Sequence, residues 1–176
     1  MSLLDKVAAA VTPAASQEDR AEARQRVEAL AREHGWLEQI VAHHKQIEAA
    51  FAQALGASAP TERQRAAKEL GMLLTGHSMA EEAVIYPAVS EFDGKGHAAM
   101  AYDEQAMAKV QMALLEKINP MSDEWREKLE HIQGAVQQHV YQEESSWFPK
   151  VAATVGEDES DMLTARYREE ATRYFG

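Results

Sequence analysis

The chain has 176 residues and no cysteine, which excludes thiol catalysis, iron–sulfur clusters and cysteine-ligated zinc together. Eighteen Lys and Arg against 29 Asp and Glu leave a formal charge of −11, unfavourable for a duplex nucleic acid or an anionic membrane as partner. No apolar run approaches the ~18 residues of a membrane-crossing helix, and Asp5 is out of place in a signal peptide, so a cytoplasmic protein is expected.

Ala, Glu, Gln, Leu, Met, Lys and Arg dominate, and Val, Ile and Thr never alternate over a strand length, so the fold class is all-α. Residues 1–15 read as a loose segment and 16–176 as one domain. Ser16 with Glu18 and Asp19 caps a first helix that runs to about His34. Trp36, Leu37, Ile40, Val41, His44, Ile47, Phe51 and Leu55 then recur at three- and four-residue steps as an inward stripe ending near Gly56. Pro60 opens the next helix, which carries Leu70, Leu74, His77, Glu81 and Val84 to an expected stop at Pro87. Phe92 to Gly96 is the most turn-like stretch. A third long helix is predicted over about 97–118, and a fourth from Ser122 through Leu129, Ile132, Val136, His139 and Glu143 to Pro149. A shorter helix follows Gly156. Short links between four long helices predict an up-down antiparallel four-helix bundle, its core at about 36–149, with additional N- and C-terminal helices.

Two segments of this chain match position for position. His77-x3-Glu81-Glu82-x3-Tyr86-Pro87 precedes His139-x3-Glu143-Glu144-x3-Phe148-Pro149 by 62 residues. On a helix, i and i+4 share one face, so each His/Glu pair can present nitrogen and oxygen to a common cation. His44/Glu48 is a third such pair. His34/Glu38 is a fourth, but it straddles Gly35, where a helix break is expected. The ligand positions fall about one helix-plus-link apart, which brings three pairs to similar depth in the bundle. Three histidines with two or three glutamates and no sulfur suit iron or manganese better than copper(I) or structural zinc.

The repeat also states what the third long helix should offer. Shifting His44 by 61 or 62 lands on Gln105 or Ala106; the first gives Gln105, a weak neutral donor, and takes Glu48 to Lys109. Glu48 is therefore a candidate to supply on the first bundle helix what Gln105 fails to supply on the third, and Glu104 is a second candidate.

With these residues the chain resembles the hemerythrin HHE cation-binding family: a lone His44, then His77/Glu81, then His139/Glu143, over Trp36 to Pro149. The resemblance implies a non-haem di-iron centre with Glu81 and Glu143 bridging and His44, His77 and His139 capping. Gln105 departs from the family's third-helix histidine, leaving open one strong and one weak site or a centre rebuilt with Glu48. The implied partner is a small diatomic molecule or peroxide, bound, carried or sensed. Two other readings stand beside it: a di-iron peroxidase- or catalase-like enzyme, and a metal-free helical interaction module.

The remaining residues have plainer expected roles. Glu82 and Glu144, about 100° round the helix from their neighbours, read as supporting or surface groups. His34, His43, His97 and His131 read as structural or exposed. Met72, Met79, Met100, Met107 and Met112 read as core filling, and Trp36, Tyr86, Trp147 and Phe148 as plugs at the bundle ends.

Overall fold

A computed structural model describes residues 14–175. Most of the expected loose segment, residues 1–13, lies outside the described residues. Among those described there are eight α-helices, two short π-helical segments and no strand. Helix α1 spans Gln17–Ala31, α2 Gly35–Gly56, α3 Pro60–Ala80, α4 Tyr86–Phe92, α5 Lys95–Leu115, α6 Asp123–Gln142, α7 Phe148–Thr154 and α8 Glu157–Phe175.

The caps form as the sequence directs. Ser16 Oγ accepts the Asp19 backbone N–H at 3.1 Å while Asp19 Oδ2 accepts that of Ser16, also at 3.1 Å. Ser122 Oγ accepts from Trp125 N at 3.2 Å. Gly94 turns the chain into α5 at φ 119°, a conformation that favours glycine.

Pro87 and Pro149 do not end their helices, which corrects the expectation. The chain continues into α4 and α7, with each proline at the start of the new helix, where no N–H is needed. The turn ahead of each absorbs the conflict between the proline ring and the carbonyl four residues back. It widens to a π turn, Glu81–Ile85 in one repeat and Glu143–Trp147 in the other. Tyr86 N–H bonds to Glu81 O and Phe148 N–H to Glu143 O, each five residues back.

The four long helices form a ring of neighbours: α2 packs on α3 and α6, and α5 packs on the same two. Helix α1 lies against α2 and the second π segment, and α8 lies across α2, α3 and the first π segment. Their buried side chains divide into two apolar clusters. One gathers Trp36, Leu37, Ile40, Tyr86, Phe148, Val151 and Tyr167, the other Ile47, Phe51, Leu70, Leu115, Leu129 and Ile132. His44 falls between Val41 of the first cluster and Ile47 of the second, and His77 between Leu74 of the second and Ala80 of the first. The ligand candidates thus sit where the two clusters meet. Met112 is buried, but Met72, Met79, Met100 and Met107 are exposed, a second correction: they lie on the outer faces of α3 and α5.

Candidate metal centre

His44 (α2), His77 (α3), Glu81 and Glu143 (the two π segments) converge, with donor atoms all within 4.8 Å of one another. All four are buried, His44 and both glutamates completely. His44 Nε2 stands 3.3 Å from Glu143 Oε2 and 3.9 Å from Glu81 Oε1, yet none of these three atoms makes a well-directed hydrogen bond within the protein. Buried polar atoms are nearly always paired, and an unpaired carboxylate oxygen costs several kcal/mol. Three orphans of donor type facing one small region are what a cation would satisfy.

Two of the imidazoles, His44 and His139, are held by carboxylates on their far sides. His44 Nδ1 lies 2.7 Å from Glu144 Oε1, and Arg24 Nε of α1 donates to both Glu144 oxygens at 2.8 Å. His139 Nδ1 lies 2.8 Å from Glu104 Oε2. Anchoring Nδ1 in this way turns Nε2 inward and fixes the ring plane. Glu144, 2 % exposed, is therefore a supporting group rather than a surface one, whereas Glu82 pairs with Lys109 at 2.6 Å.

Electrostatics follow from burial and proximity. Burial opposes charge on His44, but the adjacent Glu143 carboxylate and the Glu144 hydrogen bond outweigh it and raise the imidazole to about 10. Burial is likewise outweighed at His139 by the Glu143 charge and the Glu104 hydrogen bond, which also raise it to about 10. Against burial, His139 and His44 hold Glu143 well below the usual carboxylate range. Burial and the Glu143 charge push Glu81 up, while burial and His44 push His77 down. Protonated imidazoles balance a buried carboxylate here, and a cation entering such a cluster displaces those protons.

Each residue singled out in the sequence has a definite place. His139 joins the cluster through Nε2, 3.2 Å from Glu143 Oε1. Gln105 is buried and faces the centre, its Nε2 donating to Glu81 Oε2 at 2.6 Å. Glu48 does not reach it, a correction: its side chain is 50 % exposed and bonds Arg24 Nη2 at 2.8 Å, because its position on α2 is turned toward α1 rather than the interior. His43 is half-buried rather than free at the surface, its Nδ1 3.0 Å from the Tyr167 hydroxyl on α8.

Tyr86 is the residue that helical periodicity missed. Its ring packs in the first apolar cluster, as expected of a plug, but its hydroxyl enters the centre. Tyr86 Oη donates toward Glu143 Oε1 at 2.9 Å and Glu81 Oε2 at 3.3 Å, and lies 3.1 Å from His139 Nε2. On an uninterrupted α-helix, residue i+5 points about 140° away from residue i. The π turn stacks i with i+5 and brings Tyr86 over Glu81. The signal was present in the sequence as the proline six residues after each glutamate.

The sequence profile described as the hemerythrin HHE cation binding domain matches residues 26–151. A curated protein described as a DNA nickase, from Nostoc sp. (strain PCC 7120), is 26 % identical over 125 residues, 71 % of this chain and 36 % of that protein. The chain therefore spans about a third of the length of the relative it matches. No solved structure matches the chain.

Proposed function

This chain belongs to the hemerythrin HHE cation-binding family, and from that premise we propose that it holds a non-haem metal centre, iron by its donor chemistry, at which a small molecule such as dioxygen, nitric oxide or peroxide binds. The observation that carries the reading is the set of orphaned buried donors, His44 Nε2, Glu81 Oε1 and Glu143 Oε2, within a sulfur-free nitrogen and oxygen cluster. His44, His77 and His139 would hold the metal with Glu81 and Glu143, the two carboxylates shared between positions. Iron so held supplies an open coordination site and access to one-electron chemistry.

The chain's own residues do the rest. Glu144 and Glu104 orient His44 and His139, and Arg24 fixes Glu144 in turn. The Phe148 ring lies nearly parallel to His44, 6.4 Å between centroids, and belongs with Tyr86 and Trp36 to the apolar cluster that borders the centre.

Elemental analysis of protein purified from iron-replete cells tests the reading. Bound iron in the wild type is expected, with His77→Ala and His139→Ala losing metal and thermal stability together, because ligation and folding are linked. Equal metal content in all three proteins overturns it. Steady peroxide consumption by the iron-loaded protein marks an enzyme; a stable adduct without turnover marks a carrier or sensor.

The name of the Nostoc relative motivates one further reading, cleavage of one DNA strand. The shared segment is about a third of that protein, and a charge of −11 disfavours contact with phosphates. Conversion of supercoiled plasmid to the nicked circle by the metal-loaded chain is the observation that would favour it.

A further inference from the structure

The internal repeat is not symmetric in its chemistry, and the asymmetry has a direction. A shift of 62 residues pairs His77 with His139, Glu81 with Glu143 and Tyr86 with Phe148, and a shift of 61 pairs His44 with Gln105. In space the two repeats cross over, so that one half of the centre has His44 from its long helix beside the phenyl ring of Phe148. In the other half the histidine is replaced by Gln105 and the ring carries a hydroxyl. The missing donor and the added donor fall on the same side.

Glu143 divides its oxygens between the halves, and Glu81 Oε2 is shared by both, with His77 Nε2 3.2 Å from it. Glu81 Oε1 and Glu143 Oε2 are the orphans beside His44 Nε2. Glu143 Oε1 lies on the other side, where Tyr86 Oη is 2.9 Å from it, 3.3 Å from the shared Glu81 Oε2 and 3.1 Å from His139 Nε2. His139 Nε2 is itself 3.2 Å from Glu143 Oε1. Donors bound at right angles to one first-row cation at about 2.1 Å stand roughly 3 Å apart. Three buried oxygens and a nitrogen at these separations have the spacing of a coordination shell.

We propose that Tyr86 is a metal ligand, its phenol oxygen completing with His139, Glu81 and Glu143 a second cation position in place of the histidine that Gln105 displaces. The inference rests on the metal-binding reading above and adds one donor to it. On coordination the O–H proton leaves to water as the oxygen–metal bond forms. Gln105 keeps a positioning role through its hydrogen bond to Glu81 Oε2.

The full chain loaded with iron and oxidised to the ferric state tests the assignment, because a phenolate bound to ferric iron absorbs in the visible and gives tyrosine-ring vibrations in resonance Raman spectra. The expected result is that band in the wild type with two iron ions per chain. Tyr86→Phe should abolish the band and reduce iron to about one per chain, with unchanged helical circular dichroism. Tyr102→Phe removes the hydroxyl of the ring packed edge-on against Tyr86 at 5.1 Å and should keep both. Iron-loaded wild type without the band overturns the Tyr86 assignment and leaves the metal-binding reading standing; a wild type that takes up no iron overturns both. Should Tyr86→Phe fail to fold, the wild type and Tyr102→Phe decide between these outcomes without it.

Discussion

Arg24 divides its guanidinium between Glu48 and Glu144, two carboxylates of unequal consequence. Glu48 is half exposed, where an ion pair contributes at most about 1 kcal/mol. Glu144 is buried and holds His44 Nδ1, so its loss frees an imidazole to rotate off the centre. Glu48→Gln is therefore expected to leave metal affinity unchanged. Glu144→Gln should weaken it by roughly 10- to 100-fold, the range typical of carboxylates that orient a ligating histidine. A competition titration with a chromogenic chelator reads both; equal effects would mean that Glu144 does not orient His44. Arg24→Ala removes the cation that faces Glu144 and should cost on the order of 3 kcal/mol in chemical denaturation, the usual result of breaking one side of a mostly buried pair.

At the scale of the element, the two π segments and the terminal helices matter most. Each π turn exists because a proline stands six residues after Glu81 or Glu143, and each rotates the following aromatic into the centre or against it. The terminal helices close the outside. Helix α1 reaches the site through Arg24, and α8 seats its last turn on Gly76, one residue from His77. A Cβ at Gly76 would lie 2.8 Å from both Tyr174 Cβ and Phe175 Cζ. Gly76→Ala should lift the end of α8 and destabilise the protein by about 1–3 kcal/mol, the usual cost of overpacking. Thermal melting checks this; an unchanged midpoint would show that α8 shifts freely over α3.

For the molecule as a whole, a polar centre is sandwiched between two apolar clusters that each fill one part of the bundle. The clusters carry the hydrophobic stabilisation, and the centre subtracts from it until its orphaned donors are satisfied. Chelating the metal should accordingly lower the melting temperature without abolishing helicity. At a free metal concentration of 100 times Kd the bound ion contributes about 2.7 kcal/mol, which corresponds to roughly 5–10 °C in a chain of this size. Phe51→Ala, in the cluster remote from Tyr86, should cost about 3–5 kcal/mol while leaving metal stoichiometry intact. Loss of metal in that variant would mean that the centre and the distant cluster fold as one unit.

Much of this was legible in the residues alone. The apolar stripes, the Ser16 and Ser122 caps and the repeat with its His-x3-Glu pairs are short-range patterns, and a helix translates spacing along the chain directly into a shared face. That is why the all-α class and the His77/Glu81 and His139/Glu143 pairs could be read from spacing alone. Two outcomes were decided only by the tertiary structure. Whether Glu48 or Glu144 meets His44 depends on how α1, α2 and the second π segment are rotated against each other, which no single helix records. Tyr86 enters the centre because a proline forces the turn before it to widen, so its face is set by a backbone register that the regular 3.6-residue period does not contain. Spacing along the chain governs what lies on one rod, while the packing of rods and the irregular turns within them govern what meets between them.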